Sequence, residues 1–172
     1  MRTMLEYVPV KEEEEKMKTA KLMLYAAIMV LLTTSLGLAA SKEFKTKMSG
    51  KEVVPPVETK ATGHAEFKLS KDGSTISYIL TVKDIENVTA AHIHAGKKGE
   101  SGAPVAGLFA GPIKGGVFSG ELAKGTITDR DLVGKLAGKT IGDLVKLIKD
   151  GGAYVNVHTV KNPNGEIRGQ IK

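Results

Sequence analysis

The 172-residue chain contains no cysteine. Disulfides, thiolate metal ligands and the lipid-carrying cysteine of a lipoprotein are therefore excluded, and the fold must stand on its core alone. Aromatic residues make up only 5% of the sequence, and the basic side chains behind the net charge of +6 are scattered. They form no aromatic and basic platform for nucleic acid, which is excluded as a partner. The charge reads as solubility and loose attraction to anionic surfaces. Signatures of catalysis are also missing. Ser101 and Ser119 have no adjacent His and Asp arrangement, and the loop Gly96–Gly102 lacks the Gly-Lys-Ser/Thr ending of a P-loop. Paired carboxylates over a cleft are not evident, because Asp129, Asp131 and Asp143 are accounted for as residues at helix N-termini.

One long apolar run is present, Leu22 to Leu38. It follows Lys18 and Lys21 and precedes the small residues Gly37-Leu38-Ala39-Ala40-Ser41, which is the three-part layout of a secretory signal peptide. The run is short for a spanning helix, which needs about 20 residues. Residues 17–41 are accordingly read as a signal peptide, with an uncleaved anchor formed by residues 22–38 as the alternative. Cleavage is expected to leave an N-terminus between Ala40 and Phe44. Residues 1–16 precede this basic start and contain Glu12-Glu13-Glu14-Glu15. They read as an upstream extension before a start at Met17, or as an acidic tail. Residues 42–172 are left as the mature domain, extracytoplasmic and either secreted or in the cell envelope. Acidic and basic residues balance in 1–41, so the net charge lies in this domain.

Within it, alternation dominates. Ala65, Phe67 and Leu69 share one face of a strand with His64 and Glu66 on the other. Lys71-Asp72-Gly73-Ser74 is a turn into Thr75–Lys83, giving a hairpin. Val88–Ala95, Val105–Ala110 and Gly116–Leu122 read as further strands, and Val53–Val57, broken by Pro55-Pro56, as an edge segment. Thr128–Asp131 is expected to cap a short helix through Leu136. Thr140–Asp143 is expected to cap a second, ended by Gly151-Gly152. Gly152–Thr159, a turn at Asn164-Gly165 and Glu166–Lys172 form a final hairpin. Seven or so short strands predict an all-β fold: an antiparallel β-sandwich or Greek-key barrel, with a short helical insertion before the last hairpin.

The histidines carry the chemical interest. His92 and His94 stand two apart on one strand, hence on one face, and His158 lies on another strand with Val155 and Val157 on its opposite face. Parity turns these three, and His64, away from the core. Three or four imidazoles without sulfur suit copper or zinc. The candidate ligands are His92, His94 and His158, with His64 as a fourth. Asn156, Glu166 and Arg168 are candidates for the shell behind them, where Asn156 would fix an imidazole tautomer and Glu166 and Arg168 would pair or orient a histidine. No catalytic residue is proposed. The alternative is that the histidines pack the outer layer.

The ordered motifs Lys51-Glu52-Val53-Val54-Pro55-Pro56-Val57, Ala91-His92-Ile93-His94-Ala95-Gly96, Tyr154-Val155-Asn156-Val157-His158-Thr159 and Asn162–Ile171 resemble the CHRD (chordin-type) domain family, in its single-domain exported microbial form. The resemblance covers about Phe44 to Lys172. It implies a β-sandwich and an extracytoplasmic setting, and no activity. The paired strand histidines are also similar in site type to the copper site of Cu,Zn superoxide dismutase, but the long zinc loop and the disulfide of that family are absent. Three functions stay open: an exported module binding copper or zinc, a structural or adhesive envelope domain without metal, and a small redox enzyme of the superoxide-dismuting type. Enzymatic activity is undecided, and a non-catalytic module is favoured. The partners implied are a metal ion and an envelope or extracellular protein, with the membrane touched only through the N-terminal segment.

Overall fold

The computed structural model describes residues 14–23 and 42–172. Residues 14–23 are helical and exposed. Except for Leu22 and Met23, the apolar run and its cleavage region lie outside the described residues. Among the described residues no helix is long and apolar enough to cross a membrane.

Six strands build the domain: β1 (Glu43–Ser49), β2 (Thr62–Leu69), β3 (Ile76–Ala95), β4 (Pro104–Ile127), β5 (Ala153–Thr159) and β6 (Ile167–Gln170). All pairings between them are antiparallel. The order is β2-β1-β6-β5-β3-β4, and a further β2–β3 pairing closes the first five into a barrel with β4 outside the ring. The expected all-β architecture is thus realised as a closed barrel, in which closure removes sheet edges. Both expected hairpins form. At β2–β3, the Asp72 carboxylate accepts from the Ser70 hydroxyl at 2.6 Å and from the Ser74 N–H at 3.1 Å, closing the turn.

β3 connects the two halves of the barrel. Its first part, Ile76–Lys83, pairs with β2, and its second, Val88–Ala95, pairs with β5. The change of partner falls at Asp84 and Asn87, whose φ values of 55° and 51° are left-handed. Asp and Asn are the non-glycine residues that tolerate this region best. The two strands read from the sequence are therefore one strand bulged in the middle. The same is true of β4, which follows β3 with repeated register shifts. Its exposed middle contains Gly111, Pro112, Gly115 and Gly116, which blunt a free edge.

Alternation puts Ala65, Phe67, Ile76, Leu80, Val82, Ile93, Val155 and Val157 in one core. The helix Ile141–Lys149 adds Ile141, Leu144, Val145 and Ile148 to it. Thr140 and Asp143 cap this helix reciprocally: the Thr140 N–H donates to Asp143 Oδ2 at 2.9 Å, and the Asp143 N–H to Thr140 Oγ1 at 3.4 Å.

Three sequence expectations are corrected. Thr128–Asp131 has the same capping pattern, yet only 3₁₀ turns follow at Asp129–Asp131 and Gly134–Leu136. Leu132 instead bridges to Ala106, and the Val133 N–H donates to Val105 O at 2.9 Å, so pairing with β4 displaces the helix. Val53–Val57 is a bend rather than an edge strand, held by Val53 and Val57 N–H groups donating to Gly50 O. β1 was not foreseen. Its buried face is Phe44, Thr46 and Met48, and the threonine interrupts the apolar alternation.

Candidate metal centre

On the neighbouring strands β3 and β5, His92 stands opposite Asn156, His94 opposite Tyr154 and Ala90 opposite His158. β6 extends the rows with Arg168 opposite Asn156 and Gln170 opposite Tyr154. Opposed residues share a face. One side of this three-stranded patch is therefore His92, His94, Tyr154, Asn156, His158, Arg168 and Gln170. The other side, with Ile93, Val155 and Val157, is the core.

Parity placed the histidines correctly away from the core, but that side is not open surface. His94, Tyr154, Asn156 and Arg168 are all buried, and His92 and His158 are half-buried. Two loops roof them. In the first, Gly102 O accepts from His94 Nδ1 at 2.8 Å, Lys97 O from Arg168 Nη2 at 2.9 Å and Gly96 O from Gln170 Nε2 at 2.9 Å. In the second, Pro163 O accepts from His158 Nδ1 at 2.8 Å and Asn164 O from Asn156 Nδ2 at 3.0 Å. The close fit of that loop requires Gly165, whose φ is +123° and whose Cβ, if it had one, would overlap the Asn156 amide.

The three imidazoles converge. One ring nitrogen from each of His92, His94 and His158 lies within 4.8 Å of the other two. Ring centroids are 5.7 Å apart for His92–His94, 5.2 Å for His92–His158 and 5.6 Å for His94–His158. The roof also sets the tautomers. A carbonyl oxygen only accepts, so Nδ1 of His94 and of His158 must carry the hydrogen, and each Nε2 keeps a lone pair. Those two Nε2 atoms and His92 Nδ1 are buried without a hydrogen-bond partner. Buried polar atoms are nearly always bonded. Three neighbouring nitrogens, each missing a partner, are what a metal ion satisfies, and nitrogens bonded to zinc at about 2.0–2.1 Å stand roughly 3.3 Å apart in a tetrahedron.

Electrostatics keep the lone pairs free. Burial pushes the His94 imidazole down to about 4, helped by the charges that His158, His92 and Arg168 would oppose to it and resisted by the Gly102 carbonyl. Burial and the neighbouring His158 lower His92, and burial lowers His158 against the pull of the Pro163 carbonyl. His94 stacks on Tyr154 at 5.1 Å and 18°, and the Arg168 guanidinium lies 3.5 Å from the Tyr154 ring centroid on a cation–π contact.

The other candidates separate. Asn156 and Arg168 belong to the site's walls, Asn156 as the cross-strand neighbour of His92 and Arg168 through Tyr154. Glu166 does not. Its carboxylate accepts from Thr59 Oγ1 at 2.7 Å, Thr159 Oγ1 at 2.7 Å and Asn162 Nδ2 at 3.0 Å. Burial raises its pKa, but these hydrogen bonds outweigh it and hold the carboxyl below its ordinary value. The expected pairing of Glu166 with Arg168 or a histidine is replaced by this tie between loop and barrel. His64 is exposed on β2, in register with Thr81 and Lys47, and the cluster does not include it. Thr81 precedes His92 by eleven residues on β3, which is why a shared parity did not mean a shared place. Sequence reasoning missed the carbonyls of Gly102 and Pro163 and the Tyr154 stack. Backbone groups on loops have no sequence signal.

A family model described as the CHRD domain matches residues 44–171. Chordin of Xenopus laevis is 30% identical over 141 residues, covering 77% of this chain and 13% of that protein. Chordin of Danio rerio is 29% identical over 141 residues with the same coverage. The chain therefore matches only 13% of the length of these relatives. No solved structure matches it. The family match runs through the barrel from Phe44 in β1 to just beyond β6, and this chain belongs to the CHRD domain family.

Proposed function

We propose that the chain is an exported binding module that holds one copper or zinc ion through His92 Nδ1, His94 Nε2 and His158 Nε2. The observation that supports this reading is the convergence of three buried, unpartnered ring nitrogens. Two of them belong to rings whose opposite nitrogen is already fixed by a carbonyl, as the ligand histidines of metal sites are. An all-imidazole set favours copper or zinc over magnesium or calcium, which select oxygen. Export rests on the Lys18–Ser41 pattern. A protein of the envelope or extracellular space is the partner class that fits this setting.

A second reading has its own observation. The Nδ1 bonds to Gly102 and Pro163 already make His94 and His158 useful as loop anchors, which suits a structural or adhesive envelope domain without metal. Calorimetric titration of the purified protein with copper(II) and with zinc(II) separates the two. The metal reading expects one ion per chain, lost in His92→Ala and in His158→Ala. Absence of uptake of either ion establishes the structural reading.

A further inference from the structure

The three ligand nitrogens are not the only buried atoms lacking a partner on this face. The fourth is Asn156 Oδ1. Asn156 is 5% exposed, stands directly opposite His92 and lies two residues from His158 on the same side of β5. Its Nδ2 is spent on Asn164 O, while Oδ1 is buried with no partner. Every other polar side chain of the patch is engaged elsewhere. The Tyr154 hydroxyl meets Gly102, Arg168 donates to Lys97 O, and Gln170 donates to Gly96 O and Gly151 O. Among the described residues no carboxylate joins the three histidines.

Copper and zinc complete their coordination with at least four donors, and this chain supplies three nitrogens. A neutral amide oxygen is a poor ligand for these metals, being suited to harder ions. It is a good acceptor for a hydrogen on a metal-bound water. One flank of His92 is also unwalled. Its cross-strand neighbour on β4 is Gly107, which is exposed and has no atom within 4 Å of where a Cβ would stand. The row therefore reads Gly107, His92, Asn156, Arg168: an open notch, a ligand, a free acceptor and a cation held against Tyr154.

We infer that the metal held by His92, His94 and His158 keeps one coordination position for a small exogenous ligand, reached past Gly107 and bordered by Asn156 Oδ1. The resting occupant is water donating to that oxygen, and a small anion exchanges with it. Because the three imidazoles are neutral and no carboxylate is present, the ion retains its charge, which favours an anionic ligand. The inference rests on the metal reading above.

The test uses the full chain loaded with copper(II), uptake being measured first, followed by titration with sodium azide in the visible range. The expected result is a saturable azide-to-copper absorption in the wild type. In Gly107→Leu, copper uptake is retained and the azide dissociation constant rises by about tenfold or more. If copper is bound and azide changes nothing, the coordination is closed, and the inference falls while the metal reading stands. If Gly107→Leu binds copper and azide as the wild type does, the proposed route is wrong. If copper is not taken up, both readings fall together.

Discussion

At His94 one ring nitrogen is bonded to Gly102 O and the other faces two more imidazoles, so a single residue links loop, strand and site. The tautomers follow, and long-range ¹H–¹⁵N spectra of the metal-free protein should show the Nδ1–H form at His94 and at His158; an Nε2–H form at either removes that ring's Nε2 from the ligand set. The low His94 value also has a consequence for stability. Its imidazole titrates near 6.5 when unfolded and about 4 when folded. The unfolded chain binds the proton first, so the stability is fully present above pH 6.5 and is lost as pH falls through 6.5 towards about 4, by on the order of 3 kcal/mol at most. Urea unfolding at a series of pH values should show this decline, with His94→Gln flattening it. Metal uptake should for the same reason persist below pH 6.5, where an ordinary imidazole already loses its lone pair to a proton. Although parity turns His94 away from the core, His94→Ala should destabilise the fold, because it removes a buried hydrogen bond and a stacking contact, about 1–3 kcal/mol together.

Among the elements, the two roofing loops carry as much of the site as the strands do. β3 and β5 set which residues meet, and the loops set which nitrogen of each ring is free. Gly165→Ala should therefore disturb the site without touching a ligand, since the added methyl would overlap the Asn156 amide and the backbone is left-handed there. The expected outcome is weaker metal binding together with a loss of about 1–3 kcal/mol in urea unfolding, whereas an unchanged protein would show that the loop has slack. The helix Ile141–Lys149 supplies the contrasting case. Thr140→Ala removes its cap and should cost about 1 kcal/mol by denaturation while leaving metal binding intact.

For the whole molecule, an ion held by the three histidines would be thermodynamically linked to the barrel, since the unfolded chain does not hold them together. At a free metal concentration one hundred times the dissociation constant the folded state should gain about 2.7 kcal/mol, seen as a rise in Tm that a chelator reverses. A Tm unmoved by copper and by zinc would remove metal from the account of this protein. Export is a separate expectation at this scale. N-terminal sequencing of the extracytoplasmic protein should begin between Ala40 and Phe44, and recovery of the apolar segment with the protein would replace cleavage by anchoring.

Local chemistry made much of this legible in advance. The alternation of Ala65, Phe67, Ile76, Leu80 and Val82, the capping pair Thr140–Asp143 and the Asn164-Gly165 turn each act over a few residues, and each predicted its element. The same period of two placed His92, His94 and His158 away from the core. Thr128–Asp131 shows where such reasoning ends, because a long-range bridge from Leu132 to Ala106 overrode a sound local cap. What only the tertiary structure decided is non-local in the same sense. The register of β3 on β5 brought His158 to the His92–His94 pair, and the register of β2 on β3 held His64 opposite Thr81. The loops buried a face that alternation alone assigns to solvent. Side-chain parity is a property of one strand, whereas proximity, burial and the choice of ring nitrogen depend on which strands and loops the closed barrel makes neighbours.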